Sequence, residues 1–298
     1  MDSIDTITLI GTGNMGAPMA GHLAHAGHRL VLYDLRPDVA AATAARIGAG
    51  CAASLAESGE GADLVITMLP EATAVRAALL GEGGIAHALK PGTIVVDMSS
   101  SYPPATRETG AMLEAMGLVL LDAPVSGGVK RAVDGTLAIM LGGDDAAAAD
   151  RVAPVLAAMG TVTRTGALGS GHALKCLNNF LSASGLANAA EAVIVGRAFG
   201  LDPKVMIDVI NTSTGRNNST ETKFHQQIFS GAFASGFALS LMAKDLAAAA
   251  DLAAELGLEA PALALARDLW ADARARLGDG ADHTEIFRYL EARTREGT

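Results

Sequence analysis

The chain has 298 residues, of which 50% are hydrophobic, 18% charged and 4% aromatic, with a formal net charge of −10. This is a globular composition rather than a disordered one, and the length suits one large or two smaller domains. The acidic balance argues against a nucleic-acid backbone as the main partner.

The opening stretch "MDSIDTITLIGTG" starts acidic, and its short apolar run leads directly into glycines, a pattern that predicts no secretory signal. No run reaches the roughly 18 apolar residues of a membrane span. Cys51 and Cys176 lie far apart, which speaks for a reducing compartment rather than a disulfide framework. A cytoplasmic protein without a membrane partner is expected.

Short runs rich in Val, Ile and Leu then recur at "ITLIG" (7–11), "LVLYD" (30–34), "DLVITMLP" (63–70), "GTIVVDMSS" (92–100) and "LVLLDAPVSG" (118–127). Helix-length stretches such as "NMGAPMAGHLAHAG" and "ATRETGAMLEAMG" separate them. This alternation predicts βαβ units around a parallel sheet. "GTLAIMLGG", an alanine-rich helix over 144–159 and a strand at "TVTRTG" (161–166) complete this half. From about residue 168 strands give way to helix starts at Asp202-Pro203 and Ala260-Pro261, with stops at Gly200, Gly257 and Gly278. The expected fold is α/β over 1–166, binding a dinucleotide, followed by an all-α domain over 167–298.

"LIGTGNMG" places Gly11, Gly13 and Gly16 in the spacing G-x-G-x-x-G, after a strand and opening a helix. The first glycine allows a tight turn, the second a close approach of backbone to pyrophosphate, and the third close helix–strand packing. Asp34 closes the second strand at the offset of an acid that binds ribose. Its plainer role would be a turn residue before Arg36-Pro37, which it would more often be without the glycines.

"GSGHALKCLNNFLSASG" (169–185) poses a different problem, because Lys175, Asn178 and Asn179 interrupt an apolar helix. Residues three and four apart share a helix face, so these polar groups can act together, as an interhelical patch or as the floor of a site. His22, His25 and His28 spread around their helix and are expected at the surface. His172 is expected to be a solvated helix-start residue, and Cys176 to face packing. No G-x-S-x-G or Cys–His pattern indicates nucleophilic catalysis.

Four stretches agree on one resemblance. "GTGNMGAPMAGHLAHAGH", "DAPVSGGVKRAVDGTLAIMLGG", "GSGHALKCLNN" and "LMAKDLAAAADLA" resemble, in order and over nearly the whole chain, the β-hydroxyacid dehydrogenase family. That family includes 3-hydroxyisobutyrate dehydrogenase and tartronate semialdehyde reductase. The resemblance implies a Rossmann domain, a long interdomain helix, an all-helical C-terminal domain and a homodimer or homotetramer. It also implies a catalytic lysine at Lys175, substrate contacts at Ser126, Gly127, Gly128 and Asn179, and Lys244 beside both cofactor and substrate. Further cofactor contacts fall on Asn14, Met15, Asp34, Leu69 and Ser100, where serine keeps the hydroxyl of the threonine common in the family.

Chemistry supports these roles. Oxidising an alcohol with NAD needs a group that takes the hydroxyl proton, and lysine does so when burial or a neighbouring cation lowers its pKa. Consecutive backbone N–H groups at "SGG" can cradle a carboxylate. NAD is expected in preference to NADP because Asp34 would repel a 2′-phosphate, with Arg36 as the opposing feature. The expected substrate is a small carboxylate, 3-hydroxyisobutyrate first. Asn217 and Asn218 stand where the 3-hydroxyisobutyrate enzymes tend to place tryptophan, and they keep glycerate or tartronate semialdehyde as rivals. A non-catalytic dinucleotide-binding module would not need Lys175, Asn179 and the "SGG" turn.

Overall fold

The computed structural model describes residues 4–296, with side chains to 294. The chain forms two compact units, one ending at Lys175 and the other beginning at Cys176.

The first unit holds nine strands. They are β1 (Thr6–Ile10), β2 (Arg29–Tyr33), β3 (Gly50–Cys51), β4 (Leu64–Thr67), β5 (Ile94–Asp97), β6 (Val119–Asp122), β7 (Val125–Ser126), β8 (Leu137–Gly142) and β9 (Gly160–Gly166). Helices α1 (Gly16–His25), α2 (Pro37–Ile47), α3 (Leu55–Ser58), α4 (Ala72–Leu80), α5 (Pro103–Glu114), α6 (Gly128–Val133) and α7 (Ala146–Ala157) connect them. The sheet runs β3-β2-β1-β4-β5-β6-β8-β7, with β9 paired to β8. Strands β1 to β6 pair in parallel, whereas β8 runs antiparallel to β6 and β7. The order reverses between β1 and β4, the crevice where open α/β sheets bind ligands.

Both sheet faces are covered, as a parallel sheet requires. Leu64, Ile66, Ile94 and Val96 pack with Met19, Leu23, Val152 and Leu156. The alternate residues Val65 and Val95 pack on the other side with Val75, Leu79 and Leu113. The stretch expected as one strand over 118–127 divides at Ala123-Pro124, because the segment after Pro124 leaves β5 and pairs with β8 alone. β3 escaped the sequence pattern, since two residues carry no alternation. His22 is not a plain surface residue: its Nε2 lies 3.0 Å from the carbonyls of Ala132 and Val133, tying α1 to the end of α6.

Helix α8 (Ser170–Phe199) begins in the first unit and continues through the second. Its 30 residues span about 45 Å at about 1.5 Å per residue. The second unit adds α9 (Pro203–Asn211), α10 (Asn218–Thr222), a π-turn at Phe224–Ile228, α11 (Leu239–Glu255), α12 (Pro261–Leu277) and α13 (Ile286–Glu296). No strand occurs among its described residues. Its core gathers Leu186, Val193, Phe224, Leu246, Trp270 and Ile286. Gly200, Gly257 and Gly278 all take positive φ just beyond helix ends, as the expected stops should. The Asp202 side chain caps α9 by accepting from the N–H groups of Lys204 and Val205.

Candidate active site

Apart from Lys244, which lies on α11 in the second unit, the residues expected to hold the cofactor gather at the C-terminal ends of adjacent parallel strands. A Cβ on Gly11 would lie 2.3 Å from the Met68 carbonyl oxygen, and one on Gly16 1.9 Å from that of Gly11. Any larger residue would force loop and helix apart. A Cβ on Gly13 would instead meet open space, the side from which a phosphate can approach. Helix α1 starts at the N-cap Met15, beside exposed Asn14, without a side-chain cap, so its first N–H groups suit an anion.

Asp34 follows β2. One carboxylate oxygen accepts the Thr12 N–H at 2.8 Å, and the other accepts the Arg36 N–H at 3.0 Å. The Arg36 Nε lies 3.7 Å from Asp34, so the guanidinium folds back toward the acid. Leu69 follows β4, with its N–H donating to Ser99 Oγ at 2.9 Å and its side chain beside Gly11. Ser100, after β5, is half-buried. A bare helix start, an open glycine face and an acid closing β2 together fit a dinucleotide.

Ser126 ends β7. Gly127 (φ 131) and Gly128 (φ 67) then take left-handed conformations in an exposed turn, an arrangement in which successive N–H groups can form an anion-binding concavity. Lys175 is only 8% exposed, on the second turn of α8. That helix starts under firm constraint. Asp122, at the end of β6, accepts the N–H groups of Gly169 and His172, each at 2.8 Å.

His172 overturns the expectation of a solvated histidine. It is 1% exposed and bonded on both sides of its ring, to the Ser99 carbonyl and the Thr106 hydroxyl, with Asp97 and Asp122 close by. Sequence reasoning also missed Asp97, Ser99 and Thr106 around it. The available signal was a pair of acids, "IVVD" and "VLLD", each closing a strand as Asp34 does.

In the second unit Asn179 is 5% exposed, and its Nδ2 donates to Asp245 at 2.5 Å. Its Oδ1 lies 3.3 Å from the Asn178 Nδ2. The other Asp245 oxygen stands 3.3 Å from the Lys244 ammonium. Asp245 therefore orders both Asn179 and Lys244, and it too was missed. The signal was an acid within the apolar run "LMAKDLAAAA". Cys176 packs with Ala249, Ala250 and Leu263, as expected. Burial first, and then the Asp245 charge, push its thiol up to about 12.

Asn217 bears on the substrate. Its Oδ1 accepts the N–H groups of Ser219 and Thr220, while its own N–H is bonded by the Thr220 hydroxyl, closing a capping box at α10. Its Nδ2 reaches the Gly185 carbonyl. The structure thus makes Asn217 the cap of α10, a role apart from contacting substrate. Asn218 is exposed.

Comparison with known proteins agrees with this geometry. Residues 6–169 match the family described as the NAD binding domain of 6-phosphogluconate dehydrogenase. Residues 169–290 match that described as NAD-binding of NADP-dependent 3-hydroxyisobutyrate dehydrogenase. The chain is 36% identical to 2-(hydroxymethyl)glutarate dehydrogenase of Eubacterium barkeri, over 99% of this chain and 97% of that one. It is 37% identical to mitochondrial 3-hydroxyisobutyrate dehydrogenase of Mus musculus, over 97% of this chain and 88% of that one. Among solved structures, Mycobacterium tuberculosis 3-hydroxyisobutyrate dehydrogenase with L-serine superposes with a TM-score of 0.88 at 36% identity, covering 96% of this chain and 99% of that one. With a glycine loop built for a dinucleotide and relatives of this kind along its whole length, the chain belongs to the β-hydroxyacid dehydrogenase family and is an NAD(P)-dependent oxidoreductase acting on CH–OH groups.

Proposed function

We propose that the protein interconverts 3-hydroxyisobutyrate and its semialdehyde, with NAD as the preferred cofactor. The observation that carries this reading is Lys175, an 8% exposed lysine on a helix whose start is fixed by Asp122. In this role Lys175 takes the hydroxyl proton during oxidation and returns it to the carbonyl oxygen during reduction. The nicotinamide, when bound, supplies the hydride chemistry. The turn at Ser126, Gly127 and Gly128 receives the carboxylate through backbone N–H groups. Asn179 and Lys244, both held by Asp245, orient the substrate, and Lys244 also borders the cofactor. Gly11, Gly13, Asn14, Met15 and Gly16 hold the pyrophosphate, Asp34 the ribose, and Leu69 and Ser100 the remainder of the cofactor.

Two arguments favour the methyl-bearing acid over more hydroxylated ones. The Asn217 Oδ1 is spent on capping α10 and its Nδ2 reaches the Gly185 carbonyl, which leaves at most one amide hydrogen for an extra hydroxyl. In the names of both relatives the carbon that bears the hydroxymethyl group, next to a carboxylate, carries a carbon substituent where glycerate has a second hydroxyl. Assays in both directions with both cofactors test the proposal. 3-Hydroxyisobutyrate should exceed D-glycerate in kcat/KM by about tenfold or more, within the range one group in a pocket commands. The opposite ranking overturns the substrate. A higher kcat/KM with NADP overturns the cofactor preference and assigns Arg36 to the 2′-phosphate.

A homodimer or homotetramer belongs to the same proposal. Leu177, Leu181, Val195 and Phe199 are 41%, 69%, 68% and 85% exposed along one stripe of α8, an apolar surface suited to a second copy. Light scattering should give a multiple of the 30.1 kDa chain mass, and a monomer mass refutes it. Two free cysteines fit a reducing, cytoplasmic setting. Among the described residues no helix is long and apolar enough to cross a membrane.

A further inference from the structure

His172 sits at the centre of a buried polar network contained in the first unit. Its Nε2 lies 3.1 Å from the Ser99 carbonyl oxygen, and its Nδ1 lies 2.9 Å from the Thr106 hydroxyl on α5. A carbonyl oxygen can only accept, so Nε2 carries a proton and donates. Two carboxylates flank the ring, Asp97 at 3.6 Å from Nε2 and Asp122 at 3.8 Å from Nδ1. All of these side chains are nearly inaccessible to water.

The acids are themselves held. Asp97 accepts from the Thr67 hydroxyl at 2.8 Å, the Ser99 N–H at 3.0 Å and the Ser101 hydroxyl at 2.6 Å. Asp122 accepts the two N–H groups that open α8. The network thus joins the ends of β4, β5 and β6, the segment Ser99–Ser101, helix α5 and the first turn of α8. Two of the segments it grips carry residues assigned to the cofactor. Ser100 stands between Ser99 and Ser101, and the Leu69 N–H donates to Ser99 Oγ. On the other side, Lys175 follows His172 by one helical turn.

A helix start is the part of a helix that frays, because its first N–H groups lack partners within the helix. Lys175 lies close enough to that start for its placement to depend on what holds it. We propose that His172 is a positioning residue, the tie that fixes the Lys175 turn of α8 against the cofactor-bearing segment Ser99–Ser101. Asp122 secures the backbone of the helix start, and the imidazole sets its register against the strand ends. The proposal rests on the role given to Lys175 above. Misplacing a reacting group by about 1 Å can cost on the order of a hundredfold in rate, so a tie of this kind matters to turnover without touching substrate.

Two substitutions in the full-length protein test the tie. His172→Phe fills the space and removes both hydrogen bonds, whereas His172→Gln keeps a donor that can reach the Ser99 carbonyl. His172→Phe should lower kcat by about tenfold or more while the KM of the hydroxy acid moves by less than about threefold, and His172→Gln should recover most of that loss. Amide exchange should accelerate at 169–176 and 97–101 in the Phe variant, ahead of the rest of the first unit, with the Gln variant close to the parent. Unchanged exchange in these two segments, a uniform rise across the unit, or equal kinetic loss in both variants overturns the proposal. If His172→Phe does not fold, Thr106→Val removes the Nδ1 partner, and the same outcomes apply. Should the parent turn over no hydroxy acid with either cofactor, the functional reading fails, and the exchange pattern alone still decides the tie.

Discussion

Acid should weaken the second unit through one residue, His283. It is 3% exposed at the start of a short 3-10 helix (His283–Glu285), with Nδ1 bonded to the Phe237 carbonyl at 3.1 Å and its ring edge-on to Phe237. Burial, followed by the nearby Lys223 ammonium, pushes its pKa down from the ordinary 6.5 to about 4, against an opposing pull from Asp282. A folded-state pKa below the unfolded one means that the unfolded chain takes up a proton first as pH falls. The associated stability is complete above 6.5 and is lost as pH drops toward 4. At about 1.4 kcal/mol per pH unit, the full loss is about 3 kcal/mol. Burial also acts to raise the pKa of Asp282, but hydrogen bonds from Thr284 and Ser235 outweigh it and hold that carboxyl below its ordinary 3.8. Its own loss therefore falls at lower pH than that of His283.

The chain has a single tryptophan, Trp270, fully buried in the second unit, so its fluorescence reports the unfolding of that unit. Denaturant titrations at pH 7 and pH 4.5 (about the lower edge of the window) on the parent and His283→Gln measure the effect. The parent should lose about 2–3 kcal/mol more than the variant over this interval. Equal pH dependence in the two proteins would refute the assignment to His283.

Other expectations are more direct. Lys175→Ala should lower kcat by about a hundredfold or more, with NADH affinity by fluorescence titration little changed, as expected for a group acting only in proton transfer. Gly16→Ala should abolish NADH binding or destabilise the first unit, because its methyl would stand 1.9 Å from the Gly11 carbonyl oxygen, and intact binding would contradict the loop geometry. Asp245→Ala removes the partner of both Asn179 and Lys244. It should raise the substrate KM and cost about 1–3 kcal/mol by Trp270-monitored unfolding, the usual price of a buried polar group left unpaired. Asp34→Ser should raise the NADP/NAD ratio of kcat/KM, since Arg36 remains beside the vacated position, and an unchanged ratio would mean that Asp34 does not set cofactor choice.

Much of the fold was legible in the sequence because it depends on local patterns. Val and Ile runs mark β1, β2, β4 and β5, glycines mark the loop before α1 and the ends of α8, α11 and α12, and Asp202-Pro203 marks the start of α9. The expected Lys175 and Asn179 occupy buried positions on one continuous helix. What escaped depends on partners distant in sequence. Nothing in "GSGHALK" reveals that Ser99, Thr106 and Asp122 converge on His172, and nothing near Asn217 distinguishes a cap from a substrate ligand until Ser219 and Thr220 are seen to bond it.

The three acids that close strands make the limit concrete. "LVLYD", "IVVD" and "VLLD" end in Asp34, Asp97 and Asp122, and by local pattern they are equivalent. Their side chains differ in accessibility, 12% for Asp34 against 2% and 0% for the other two. A buried carboxylate must be satisfied from within the protein, and Asp97 and Asp122 are, by hydroxyl and backbone donors. Asp34 keeps an accessible edge on which a ribose can donate. The same residue at the same point of a strand thus keeps an edge open to a ligand after β2 and closes an internal network three and four strands along the sheet, at β5 and β6. Burial, a property of the assembled sheet, decides between the two roles.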